Sequence, residues 1–159
     1  MLSEIKVVFW EQKAKALLAE LSERFHVPLP EKLLFASTSI AGQKAYTYSH
    51  EDGEQGIVID LRQHSSWEDV EWSVYHEFRH IMQYGFLDES YIRRCRSLTR
   101  DRNWYLFSPM EIDARVFART HGEISDQRVF EEIGSMSDFP SSREFLYHCM
   151  AISRKYDVG

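Results

Sequence analysis

At 159 residues, 43% hydrophobic and 14% aromatic, with seven glycines and four prolines, the chain has the composition of one folded domain with a full core, and a single domain over 1–159 is expected. Its net charge of −6 argues against nucleic-acid binding by the whole surface. No stretch has the apolar length of a membrane span and no basic segment leads into a clean apolar run at the N-terminus, so a cytoplasmic protein without a membrane partner is expected.

In chain order, residues 3 to 26 read as a helix with Trp10, Ala14, Leu17, Leu18, Leu21 and Phe25 as its apolar stripe, ended by Pro28 and Pro30. Trp10 and Phe9 suit either a partner surface or the core, and core packing is the expectation. Three short strands follow, Leu33 to Thr38, Lys44 to Ser49 and Gly56 to Leu61, with turns at Ala41-Gly42 and Asp52-Gly53. A small three-stranded, mainly antiparallel sheet is the simple reading.

The third strand leads into the stretch with the most chemistry, Tyr75-His76-Glu77-Phe78-Arg79-His80, which contains H-E-x-x-H. Ser65 with Glu68 reads as a capping box, Val70, Val74, Phe78 and Ile81 as an apolar face, and Gly85 as a stop, so a helix over about 66–84 is expected. On a helix His76 and His80 stand one turn apart on the same face, where two imidazoles can bind one tetrahedral metal ion, usually Zn2+. Glu77 lies beside them, where a carboxylate can act as general base on water. The bland alternative is two histidines and a glutamate on a partly exposed amphipathic helix.

Beyond the motif the chain turns basic, with Arg93, Arg94, Arg96, Arg100 and Arg102 opposed only by Asp101. That cluster is either a dock for an acidic partner or a solvated face balanced by nearby acids. Asp88 can cap a short helix there, with Tyr91, Ile92 and Cys95 inward. Ser108 and Pro109 then open a helix that Gly122 stops. Two further helices are expected, one over about 127–134 with Val129, Phe130 and Ile133, the other from Ser141-x-x-Glu144 with Phe145, Cys149 and Ile152 inward. Cys95 and Cys149, the only cysteines, lack C-x-x-C partners and read as free thiols.

A catalytic zinc needs a third protein ligand and an open position. The metzincin arrangement, with a glycine and then a further histidine after the second, is ruled out because Gln83 and Phe86 hold those positions. Glu111 is the best candidate: Ala114 and Ala118 follow it on the same helix face and permit close approach to the motif helix. Asp113 points to nearly the opposite side, toward Val116 and Phe117, so one helix aims Glu111 or Asp113 at a metal but hardly both. Ser108-x-x-Glu111 is also a capping-box pattern, in which the glutamate only returns to its own N-cap. Asp88 and His121 are weaker candidates.

With H-E-F-R-H followed by E-I-D-A-R-V-F-A, the chain resembles the gluzincin metallopeptidases, most closely in style the compact ImmA/IrrE-like branch. His76, Glu77, His80, Glu111, Ala114, Phe117 and Ala118 fall on matching positions, and Asp113 replaces the second acid. Arg79 and Ile81 depart from the small, glycine-containing motif helix common there, and no helix-turn-helix DNA-binding segment is visible. The resemblance implies an α+β zincin-like fold: N-terminal helix, small sheet, active-site helix, glutamate helix and C-terminal helices. It also implies Zn2+ held by His76, His80 and Glu111, Glu77 as general base, and hydrolysis of a narrow range of protein or peptide substrates. Tyr105, His121, Tyr147 and His148 are candidate oxyanion donors, and a free sheet edge such as the 56 to 61 strand is a place for an extended peptide. The alternative function is a zincin-like binding or regulatory module that docks an acidic partner through Arg93–Arg102.

Overall fold

The computed structural model describes residues 3–37, 43–98, 100, 102–124 and 127–156, with only the backbone at Arg102 and Asn103. Among the described residues the fold is α+β, with six α-helices and one three-stranded mixed sheet. The chain divides into two compact units, Met1–Met82 and Gln83–Gly159, and the division falls inside one continuous helix.

The first unit opens with α1 (Glu4–Phe25), capped by the Ser3 hydroxyl, which accepts the Lys6 N–H at 3.2 Å. Trp10, Ala14, Leu18 and Leu21 are buried along one stripe, while Leu17 and Phe25 are half-buried. Trp10 is core, but Phe9 is exposed. The helix stops before the prolines are reached. His26 adopts a left-handed φ of 55°, and the N–H groups of His26 and Val27 turn back to Glu23 O and Ser22 O.

The sheet comprises β1 (Lys32–Leu34), β2 (Ala45–Ser49) and β3 (Gln55–Ile59) in the order β1-β3-β2. β2 and β3 form the expected hairpin through Asp52-Gly53, where Gly53 takes a φ of 91°. β1 pairs parallel with the other side of β3, Lys32 opposite Gly56 and Leu34 opposite Val58. The sheet is therefore mixed rather than mainly antiparallel, and β3 is its centre rather than a free edge. A local turn signal fixes the direction of two neighbouring strands only, whereas the buried run Ile57-Val58-Ile59 marks a strand covered on both sides. β1 ends at Leu34; Thr38 and the Ala41-Gly42 turn lie outside the described residues. β3 ends at Ile59 because Asp60 caps a 3-10 turn over Leu61–Gln63, accepting the Arg62 N–H at 3.2 Å.

The motif helix α2 spans Trp67–Phe86. Its capping pair is displaced by one residue from the expected Ser65 and Glu68. The Ser66 hydroxyl accepts the Asp69 N–H at 3.1 Å, and Asp69 Oδ2 accepts the Ser65 N–H at 3.1 Å. Asp69 wins because its carboxylate also meets Lys44 Nζ at 2.8 Å. Val70, Val74, Phe78 and Ile81 are buried as their spacing predicts. Gly85 does not stop the helix: Leu87 N–H still bonds Gln83 O at 2.9 Å.

In the second unit, α3 (Glu89–Leu98), a 3-10 helix over Arg102–Phe107, α4 (Pro109–Arg119), α5 (Arg128–Ile133) and α6 (Ser142–Lys155) follow the last turn of α2. Every residue of α4 from Pro109 to Ala118 is buried. Ile112 and Val116 join Val129, Ile133, Phe145 and Cys149 in one cluster, and Met110 joins Ile92, Cys95 and Phe130 in another. Cys95 and Cys149 are free, and burial pushes their thiols up to about 11 and about 12. No helix among the described residues is long and apolar enough to cross a membrane.

Candidate metal centre

Helical spacing places Trp72, His76 and His80 on one stripe of α2, each one turn from the next. The rings of His76 and His80 meet edge to face, with centroids 5.0 Å apart, and both side chains are largely buried. The Trp72 indole lies nearly flat on His76, at 4.7 Å and 24°. That stack limits the rotation of the imidazole.

Glu111 stands in the first turn of α4 and is buried. It does not act as a capping-box partner. The Ser108 side chain makes no cap bond, and the Ser108 N–H goes to Tyr105 O at 3.1 Å. The ligand-type atoms of His76, His80 and Glu111 all lie within 4.8 Å of one another. Nitrogen and oxygen ligands at about 2.0–2.2 Å from a tetrahedral ion are themselves about 3.3–3.6 Å apart. Side-chain adjustment of about an ångström brings the set to that spacing. Two imidazoles and one carboxylate are a donor set suited to a zinc ion with an open fourth position.

Gln83 ties α4 to the end of α2. Fully buried in the last turn of α2, it donates through Nε2 to Met110 O at 2.9 Å and to Asp113 Oδ2 at 2.7 Å. Asp113 is thus engaged by an amide, and it does not belong to the His76–His80–Glu111 group. Nor do Asp88 and His121; His121 lies just past the end of α4 with a φ of 50°. One turn beyond Glu111, Arg115 is buried and donates to Leu106 O. Burial lowers its pKa, opposed by the neighbouring Glu111 carboxylate and Tyr105.

Glu77 is buried beside the imidazoles, and its Oε2 accepts a hydrogen bond from the Thr47 hydroxyl on β2. Thr47 Oγ1 also lies 3.2 Å from the Glu77 carbonyl oxygen. With the Lys44–Asp69 ion pair, this fixes β2 alongside α2, running in the same direction. Neither Thr47 nor Gln83 carries a local signal, because each gains its role from a partner about thirty residues away. Trp72 was also missed, although its place on the stripe of the two histidines is a signal that could have found it.

Of the candidate oxyanion donors, His148 Nε2 lies 3.3 Å from Glu132 O with its ring beside Phe139, and Tyr147 packs against Trp104. Both serve α6. Tyr105 is half-exposed in the 3-10 helix before α4. Arg93, Arg94, Arg96 and Arg100 are exposed, with Arg94 over Tyr91; Asp101 and the Arg102 side chain lie outside the described residues. No protein-family model, no curated protein and no solved structure matches this chain.

Proposed function

We propose that the chain is a zinc metallopeptidase of gluzincin type, with His76, His80 and Glu111 as ligands and Glu77 as general base, acting on a narrow range of protein substrates. The supporting observation is the gathering of two imidazoles and a carboxylate, with ligand-type atoms within 4.8 Å of one another. A zinc ion bound there supplies Lewis acidity, acidifying water and polarising a scissile carbonyl.

The chain's own residues supply proton transfer and alignment. Glu77 takes a proton from the attacking water as its oxygen bonds to the carbonyl carbon. It returns that proton to the amide nitrogen as the C–N bond breaks, leaving a carboxylic acid and an amine, which exchange the remaining proton to become carboxylate and ammonium. Thr47 holds the Glu77 carboxylate in one orientation. Among the described residues β2 is an edge strand: Lys44 O and His50 N–H bond toward the β3 side, so alternation turns the backbone groups of Ala45, Thr47 and Ser49 outward. Those groups can pair with an extended peptide.

A second reading, a docking module for an acidic partner, draws on the exposed arginines of α3. The Glu77→Gln variant separates the two. Under the peptidase reading it keeps a single zinc per chain and loses about 10²–10⁴ in cleavage rate. Full biological effect with Glu77→Gln supports docking instead.

A further inference from the structure

Eight large apolar side chains are prominently exposed among the described residues, and Trp72 is the one stacked on a candidate ligand. It leaves 41% of its surface to solvent. Holding an imidazole in place needs only one indole face. The rest of the indole stays open to solvent beside a polar, buried site, where an apolar side chain can pack on it.

The α2 stripe extends one turn further to Glu68, which is exposed. Read from the N-terminal end, the stripe therefore carries a carboxylate, an indole and two imidazoles. Successive members are about 6 Å apart along the helix. Side chains on the same side of an extended peptide recur every 6.6–6.8 Å or so. The two repeats match, and β2 runs alongside α2, so a strand added to β2 also runs along the helix.

The open edge of β2 faces this stripe by the following geometry. Around α2, the β2-contacting positions Asp69 and Glu77 lie about midway, roughly 90° from each, between the buried Val70–Val74–Phe78 stripe and the Trp72 stripe on the opposite side of the helix. Burial of the Ile57–Ile59 run favours the aliphatic side of α2 for β3, which leaves the other side of β2 toward Trp72.

We infer that Trp72 and Glu68 set the substrate class of the proposed peptidase: an extended peptide with a bulky apolar residue beside the scissile bond and a basic residue two positions beyond it, toward the N-terminal end of α2. Main-chain pairing with β2 reads no sequence. The indole selects the apolar side chain, and the Glu68 carboxylate selects the basic one. The inference rests on the peptidase reading.

The test uses the zinc-loaded full chain carrying Glu77→Gln, titrated with blocked alanine-based octapeptides that hold phenylalanine and lysine two positions apart, in both orders. Binding is measured by calorimetry, and zinc content is measured in every variant. Replacing phenylalanine by alanine, or lysine by aspartate, should weaken binding roughly tenfold. Trp72→Leu should remove the preference for phenylalanine. Glu68→Lys, at an exposed position, should invert the preference from lysine to aspartate. Zinc content should stay unchanged in Glu68→Lys, and Trp72→Leu, which loses the stack on His76, is titrated at saturating zinc. Peptide binding with its preferences intact in Trp72→Leu and Glu68→Lys overturns the inference and leaves the peptidase reading standing. A chain that holds no zinc overturns the peptidase reading, and the inference with it.

Discussion

His64 joins the 3-10 turn after β3 to α2. Its Nδ1 lies 2.7 Å from Asp60 O and its Nε2 2.8 Å from Ser73 Oγ. A neutral ring satisfies both contacts, with Nδ1–H donating to the carbonyl and Nε2 accepting from the hydroxyl. Burial lowers its pKa from 6.5; the Asp60 carbonyl and the Asp69 carboxylate oppose the shift, and Lys44 adds to it. Below its ordinary pKa the unfolded chain therefore binds more protons at this site than the folded one. The contribution of His64 is complete above pH 6.5 and is lost as pH falls from there through the lowered folded value. Urea midpoints measured between neutral and acidic pH should decline more steeply for the native chain than for His64→Gln; parallel declines would remove this account of the site.

At the scale of elements, α2 passes through a glycine placed to end it. Gly85 is exposed and helical, and a methyl group built on it meets nothing within 4 Å. Gly85→Ala should therefore stabilise the chain by about 0.5–1 kcal/mol, read as a higher urea midpoint at constant slope. A lower midpoint would show that this turn is not helical in solution. The same helix shows what sequence can and cannot reveal. Helical periodicity exposed the buried stripe and the His76–His80 face, because both depend only on the pitch. The small residues after Glu111 likewise favoured it over Asp113 as a partner for that face. The capping pair moved from Ser65 and Glu68 to Ser66 and Asp69 because Lys44, distant in sequence, holds Asp69. Strand order also escaped, since the Asp52-Gly53 turn fixes β2 against β3 and carries no information on β1. Thr47 and Gln83 became visible only through tertiary hydrogen bonds.

For the molecule as a whole, the proposed metal binding would be linked to folding, because His76 and His80 lie on α2 and Glu111 on α4, and a ligand that binds only the folded chain stabilises it. Zinc at a hundredfold excess over its dissociation constant should raise stability by about 2.7 kcal/mol. The most direct measurement is zinc affinity, by chelator competition, in the native chain and in Glu111→Ala, with folding of both followed by circular dichroism. The native chain should bind a single zinc ion, and the folded Glu111→Ala variant should bind it at least about a hundredfold more weakly. Equal affinity in the two would contradict the His76–His80–Glu111 centre on which the proposed function stands.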